Sequence, residues 1–232
     1  MESAAGINYE ILYGDGAFAM LRVLLRRGMS IKAQSDAMVT MDTTMEVEGK
    51  LEGGILGGLG RLLLSNENFF FQTITAVTGD GETVLAPAFP GSVLDLEMDG
   101  TPYYVQKGGF FAATEGVTIS TKMQNLAKGL FGGGGLFVLE ASGHGILFVE
   151  TFGAVHVVDI PAGKDIIIDN NHLVAWPKDI QYNLQKASKG WLSSVTSGEM
   201  LVFRFKGPGR VLIQSRNNIG FSQWIGAMFP SK

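Results

Sequence analysis

The sequence predicts an all-β fold in which one antiparallel unit recurs three times. Three observations predict it. Glycine makes up 32 of the 232 residues, about twice its usual share, which suits many tight turns between strands. Apolar and polar residues alternate over short windows: in "LVFRFKG", Leu201, Phe203 and Phe205 fall on one face, and Val202, Arg204 and Lys206 on the other. The chain also resembles itself at shifts of 63 to 72 residues.

The repeat orders the elements. "DGTPYYVQKGGFFAATEGV" (99–117) matches "AGKDIIIDNNHLVAWPKDI" (162–180), with Gly100 on Gly163, Val105 on Ile168 and Phe110-Phe111 on Leu173-Val174. "RRGMSIKAQSDAMVTM" (26–41) is a weaker upstream copy, with Gly28 opposite Gly100. Further along, "GGGGLFVLEASGHGILF" (132–148) matches "SGEMLVFRFKGPGRVLI" (197–213) and "SNENFFFQTITAVTGDGETVL" (65–85). Gly-His-Gly, Gly-Pro-Gly and Gly-Asp-Gly therefore share one position, and the spacing predicts hairpin turns there. The four-glycine run stands where the other copies have Ser-Asn-Glu-Asn and Ser-Gly-Glu-Met. It leads into a strand-like Leu-Phe-Val-Leu. A phosphate cradle needs a helix opening directly after its glycines, so the run reads as a turn.

One unit could hardly bury its own apolar face, so the three are expected to pack around a pseudo-threefold axis as a single domain. The repeats are placed at about 8–88, 89–151 and 152–217, followed by a tail at 218–232. Pro87 and Pro90 mark the first seam. Segments 53–65, 123–131 and 182–195 each carry the signal of a turn or two of helix. The tail, with Trp224, Ile225, Met228 and Phe229, is expected to form a short helix covering a sheet end.

Composition narrows the function. A formal net charge of -4 and only 17% charged residues argue against a general nucleic-acid binder. With no cysteine, disulfides, thiolate metal sites and thiol nucleophiles are excluded. The N-terminus lacks the basic start and apolar core of a signal peptide, and no window approaches the roughly 18 uninterrupted apolar residues of a membrane span. A cytoplasmic location is expected.

Candidate chemistry is sparse. His144, His156 and His172 are 12 and 16 residues apart, unlike the short pairs of metal sites, so no metal or cofactor is expected. Ser142 and Ser197 lack a nucleophile-elbow context, and no catalytic residue is assigned. Glu199 and Asp169 are the carboxylates of interest, with Arg216 as the expected interlobe partner of Glu199. Basic clusters at Arg22, Arg26 and Arg27, and at Arg204, Lys206, Arg210 and Arg216, fit solvated edge charge better than an RNA-tracking groove. "GGILGGLGRLLL" is apolar but too short to span a bilayer. Ile55, Leu56, Leu59 and Leu63 are its candidate interface residues.

Five stretches, "LAPAFPGSVLDLEM", "VQKGGFFAAT", "GLFVLEASGHGILFV", "IDNNHLVAWP" and "SGEMLVFRFKGPGRVLIQSRN", together resemble the altered inheritance of mitochondria protein 24 family over about Tyr9 to Asn217. The resemblance implies a three-lobed architecture related to the double-stranded β-helix and similar to the trp RNA-binding attenuation protein fold. It implies no assigned enzymatic activity and, in the mitochondrial branch, a part in inner-membrane organisation. The chain departs from the family at Gly133-Gly134-Gly135, where Ser-Gly-Glu is usual, while Ser197-Gly198-Glu199 keeps that pattern. The resulting expectation is a non-enzymatic β scaffold or interaction protein that self-associates as a homo-oligomer, with a protein partner or membrane surface. The alternative is a small-ligand- or RNA-binding β module.

Overall fold

A computed structural model describes residues 6–51, 70–124, 136–186 and 201–229. Within them the protein is built almost wholly of antiparallel strands, with one α-helix at the end. After β1 (Asn8–Leu12), the chain runs through β2 (Met20–Leu25), β3 (Ser30–Gln34), β4 (Met38–Met41), β5 (Met45–Leu51), β6 (Phe70–Ala76) and β7 (Gly81–Leu85). Then come β8 (Val93–Asp99), β9 (Tyr103–Gln106), β10 (Phe110–Thr114), β11 (Val117–Gln124) and the long β12 (Leu136–Glu150). The last group is β13 (Val155–Ile160), β14 (Asp165–Asp169), β15 (Leu173–Pro177), β16 (Gln181–Lys186), β17 (Leu201–Lys206) and β18 (Gly209–Gln214), closed by helix α1 (Asn218–Met228).

One pairing scheme recurs in each group. β7 lies between β2 and β4, while β6 lies between β3 and β5. In the second group β12 fills both roles, pairing β8 and β10 along its second half and β9 and β11 along its first. In the third, β18 lies between β13 and β15, and β17 between β14 and β16. A register shift falls at the start of the third strand of each scheme, at Met38/Thr40, Phe110/Ala112 and Leu173/Ala175. Gly28, Gly100 and Gly163, each in the turn between a scheme's first two strands, have φ of 88, 107 and 77°, a region open to glycine at little cost.

Two ladders join the groups, β3 with β10 and β9 with β15. Isolated bridges link Phe18 to Gly91 and Gly91 to Gly153. β4 and β14 each end a sheet, with no further ladder on the outer side among the described residues.

Alternation explains which faces are buried. Leu21, Val23 and Leu25 of β2 point inward, while Arg22 and Leu24 stay at the surface. β10, "FFAAT", is buried throughout because it is covered on both faces. Around the third group Trp176 meets Phe203 and Phe205 edge-on at 5.3 and 5.9 Å, a favourable geometry for aromatic pairs. Arg204 and Lys206 on the intervening positions are exposed.

Three expectations are corrected. The Gly-x-Gly stretches are not hairpin turns: β12 runs unbroken through Gly143-His144-Gly145, and neither β6 with β7 nor β17 with β18 pairs. At these points the chain passes from one set of partners to the next. Glycine is required by close approach, since a Cβ on Gly81 would come within 2.6 Å of Thr44 Oγ1 and one on Gly145 would overlap Thr114 Oγ1. The helical signal at 182–195 begins in β16, where Leu184 faces Phe203 across the ladder, and that at 123–131 begins in β11; the remainder of both, and all of 53–65, lie outside the described residues. The tail does form a helix, but none of its residues is buried: it meets the sheet end through Phe221 against Phe152 and leaves most of its apolar residues to solvent.

Candidate functional site

The ladder between β9 and β15 runs beside a cleft of about 220 Å³. Strand ends and short turns supply its walls. β9 ends at Gln106 and leads into a 3-10 turn, Lys107–Gly109; β14 ends at Asp169 and leads into another, Asn170–His172. β12 contributes its last residue, Glu150, with Thr151 and Phe152 just beyond. Gln214 ends β18, and Asn218 and Ile219 open α1.

The amides organise the polar wall. Gln106 Nε2 donates to Asn170 Oδ1 at 2.8 Å. Gln214 Nε2 donates to the Asn171 carbonyl at 3.1 Å, and its Oε1 accepts the Phe152 N–H at 2.9 Å. Asp169 accepts from the Asn171 N–H at 2.9 Å, so this carboxylate caps a turn. His172 lies behind the turn: Nδ1 is 2.7 Å from the Gln214 carbonyl, and Nε2 is 3.0 Å from Asn217 Nδ2. A carbonyl can only accept, so Nδ1 carries the proton and Nε2 accepts from the amide. The apolar wall is Phe89 and Phe152, whose ring centroids lie 5.3 Å apart, with Phe221 of α1 5.0 Å beyond Phe152.

Glu150 is the residue the sequence reading missed. It is only 4% exposed, and its Oε2 has no hydrogen-bond partner among the described residues. Burial pushes its carboxyl up from 4.5 to about 7, and a hydrogen bond with the Gln34 side chain offsets part of that rise. One signal was available. Glu150 and Gln214 end corresponding strands, so an acid in one copy stands where an amide stands in the other.

The expected site residues do not converge. Ile55, Leu56, Leu59, Leu63, Ser197 and Glu199 lie outside the described residues. Arg216 is exposed and donates its backbone N–H to the Phe152 carbonyl at 3.1 Å. His144 and His156 are separate surface residues. Among the described residues no three His, Asp or Glu side chains gather as a metal site. Within the basic clusters Arg204 Nη2 contacts Asp165 Oδ2 at 2.8 Å, Arg210 Nε contacts Asp159 Oδ1 at 2.8 Å, and Arg22 pairs with Glu10.

α1 presents an exposed apolar surface. Ile219, Trp224 and Met228 are 55, 57 and 55% exposed, the following Phe229 76%, and no charged residue occurs between Asn218 and Phe229. No helix among the described residues is long and apolar enough to cross a membrane.

Comparison with known proteins places these features in a wider set. Residues 9–216 match the family model described as Mitochondrial biogenesis AIM24. An uncharacterised protein of Streptococcus pyogenes serotype M6 is 32% identical over 221 residues, covering 92% of this chain and 88% of the relative. An X-ray crystal structure of a Streptococcus pyogenes protein superposes with a TM-score of 0.78 at 29% identity, covering 96% of this chain and all of that one.

Proposed function

The chain belongs to the Mitochondrial biogenesis AIM24 family, and from that premise we propose that it is a non-enzymatic β scaffold that self-associates through the apolar face of α1. The observation that carries this reading is an uncharged helix that turns Ile219, Trp224, Ile225 and Met228 to solvent. Exposed apolar patches of this kind mark interaction surfaces. Phe221 extends the face onto Phe152, whose ring in turn lies against Phe89. The edges of β4 and β14, which carry no further ladder among the described residues, offer additional sites for strand pairing between copies.

In this reading the protein is one cytoplasmic domain of three lobes, about 8–88, 89–151 and 152–217, around a pseudo-threefold axis, in the manner of the trp RNA-binding attenuation protein and double-stranded β-helix folds. The thrice-repeated pairing scheme and the bridges among Phe18, Gly91 and Gly153 support it. Pairing of Arg204 and Arg210 with aspartates favours protein association over RNA, because cations already neutralised release few counterions on binding a phosphate backbone. The segment containing Leu59 and Leu63 is a second candidate contact. Light scattering at several concentrations, with and without anionic vesicles, tests the reading. A discrete oligomer in buffer supports it; a monomer that moves onto vesicles points to a lipid surface instead, and a monomer under both conditions overturns it.

A further inference from the structure

We infer that the cleft beside Glu150 is a binding site for a small organic cation, an alkylammonium head with a short apolar body. Its volume, about 220 Å³, is below the usual range of drug-sized pockets and suits a ligand of a few heavy atoms. Among the described residues its lining contains one carboxyl group, Glu150, and no lysine, arginine or histidine. The site is therefore complementary to a single positive charge.

Glu150 is more than nine-tenths buried and leaves Oε2 without a donor among the described residues. Buried polar groups normally find partners, so an unpartnered carboxylate oxygen on a residue that lines a cleft leaves room for a donor from outside the chain. Gln214 makes the contrast. It ends the corresponding strand, β18, and spends both ends of its amide on Phe152 N–H and the Asn171 carbonyl. The neutral residue is satisfied internally and the acidic one is not.

The rest of the wall fits an ammonium head. Gln106, Asn170 and Asn218 bring side-chain amides, whose oxygens accept the donors left over after Glu150 has taken one. Phe89 and Phe152 supply aromatic faces for a cation or for methylene groups. A hard divalent ion would want several carboxylates, and the lining has one. Desolvation raises the Glu150 carboxyl, the Gln34 side chain offsets part of that rise, and no charged group contributes among the described residues. A ligand cation would reverse that shift.

The experiment uses n-butylammonium as probe on the full chain, with binding followed by NMR at the Gly109 and Phe152 amides and the Glu150 carboxyl carbon. The expected result is saturable binding at pH 8 that weakens about tenfold by pH 5.5 as protons compete, with the Glu150 titration moved about one unit lower at saturation. Glu150→Gln should weaken binding at pH 8 about tenfold, to the level of the protonated wild type, and remove its pH dependence, while keeping the wild-type amide spectrum away from the cleft. If that variant misfolds, n-butanol and butyrate on the wild type serve instead, and both should bind at least tenfold more weakly than the amine. Equal binding by the alcohol or the acid, wild-type affinity at pH 8 in a folded Glu150→Gln, or no saturable shift up to about 50 mM amine would each overturn the inference. Ile219 lines the cleft and belongs to the proposed association face, so the same titration on Trp224→Asp, whose changed residue does not line the cleft, separates this inference from the self-association reading.

Discussion

Asn217 caps α1 with one end of its amide and holds His172 with the other. Its Oδ1 accepts the Gly220 N–H at 2.7 Å, while its Nδ2 donates to His172 Nε2 at 3.0 Å. His172 is fixed in turn by donating Nδ1–H to the Gln214 carbonyl at the end of β18. One short chain of hydrogen bonds thus anchors an otherwise unburied helix to the sheet.

That anchor predicts a local effect. Asn217→Ala removes the cap and the tie together and should cost about 1 kcal/mol of helix stability. Hydrogen exchange should show faster exchange at Gly220 and Phe221 with β18 unchanged. His172→Phe keeps the cap and removes only the tie, so it should loosen α1 less. Equal protection in all three proteins would show that the Phe152–Phe221 contact alone holds the helix.

Trp224 should govern association. It is 57% exposed and touches Phe221 within its own helix at 5.8 Å, so Trp224→Asp removes little folded-state packing while placing a charge on the apolar face. The solution mass should fall to that of one chain, and the melting temperature extrapolated to low concentration should stay within about 2 °C. Leu59→Asp and Leu63→Asp test the second candidate contact in the same way. A mass unchanged in Trp224→Asp removes α1 from the interface.

Gly145 and Gly28 separate two reasons for glycine. Gly145 has φ 139°, and its Cβ position is occupied by Thr114 Oγ1; Gly28 has φ 88° but open space around it. Gly145→Ala should therefore cost about 2 to 4 kcal/mol, strain and overpacking together. Gly28→Ala should cost about 1 kcal/mol, for backbone conformation alone. Denaturant unfolding of the two variants checks the difference.

Alternation made the strands legible. Phe203 and Phe205 are buried and Arg204 and Lys206 exposed, as a period of two requires. The glycine pairs were visible as breaks, yet their role was misread, because composition distinguishes a turn from a straight strand under pressure only when the neighbour is known. Thr114, 31 residues before Gly145, is such a neighbour. At the start of the 182–195 segment the apolar spacing suits a helix, and the cross-strand pairing of Leu184 with Phe203 makes residues up to Lys186 a strand. The cleft was not legible at all. It is assembled from the ends of β9, β12, β14 and β18, and its acid follows a run of apolar residues that says only that the strand is buried.

Glu150 should also leave a signature in the pH dependence of stability. Its carboxyl titrates at about 7 in the folded protein and at 4.5 when freely solvated. Between those values the folded state binds more protons than the unfolded one, so stability falls as pH rises through that window and levels off above it. The shift corresponds to a loss of up to about 3 kcal/mol between pH 4.5 and pH 8. Glu150→Gln cannot ionise, so its unfolding free energy should decline less over the same range, and the variant should be the more stable protein at pH 8. Urea unfolding at half-unit steps from pH 5 to pH 8 gives the difference between the two curves directly. Parallel curves would mean that Glu150 is already solvated or paired in solution, and the charge argument for the cleft would fall with them.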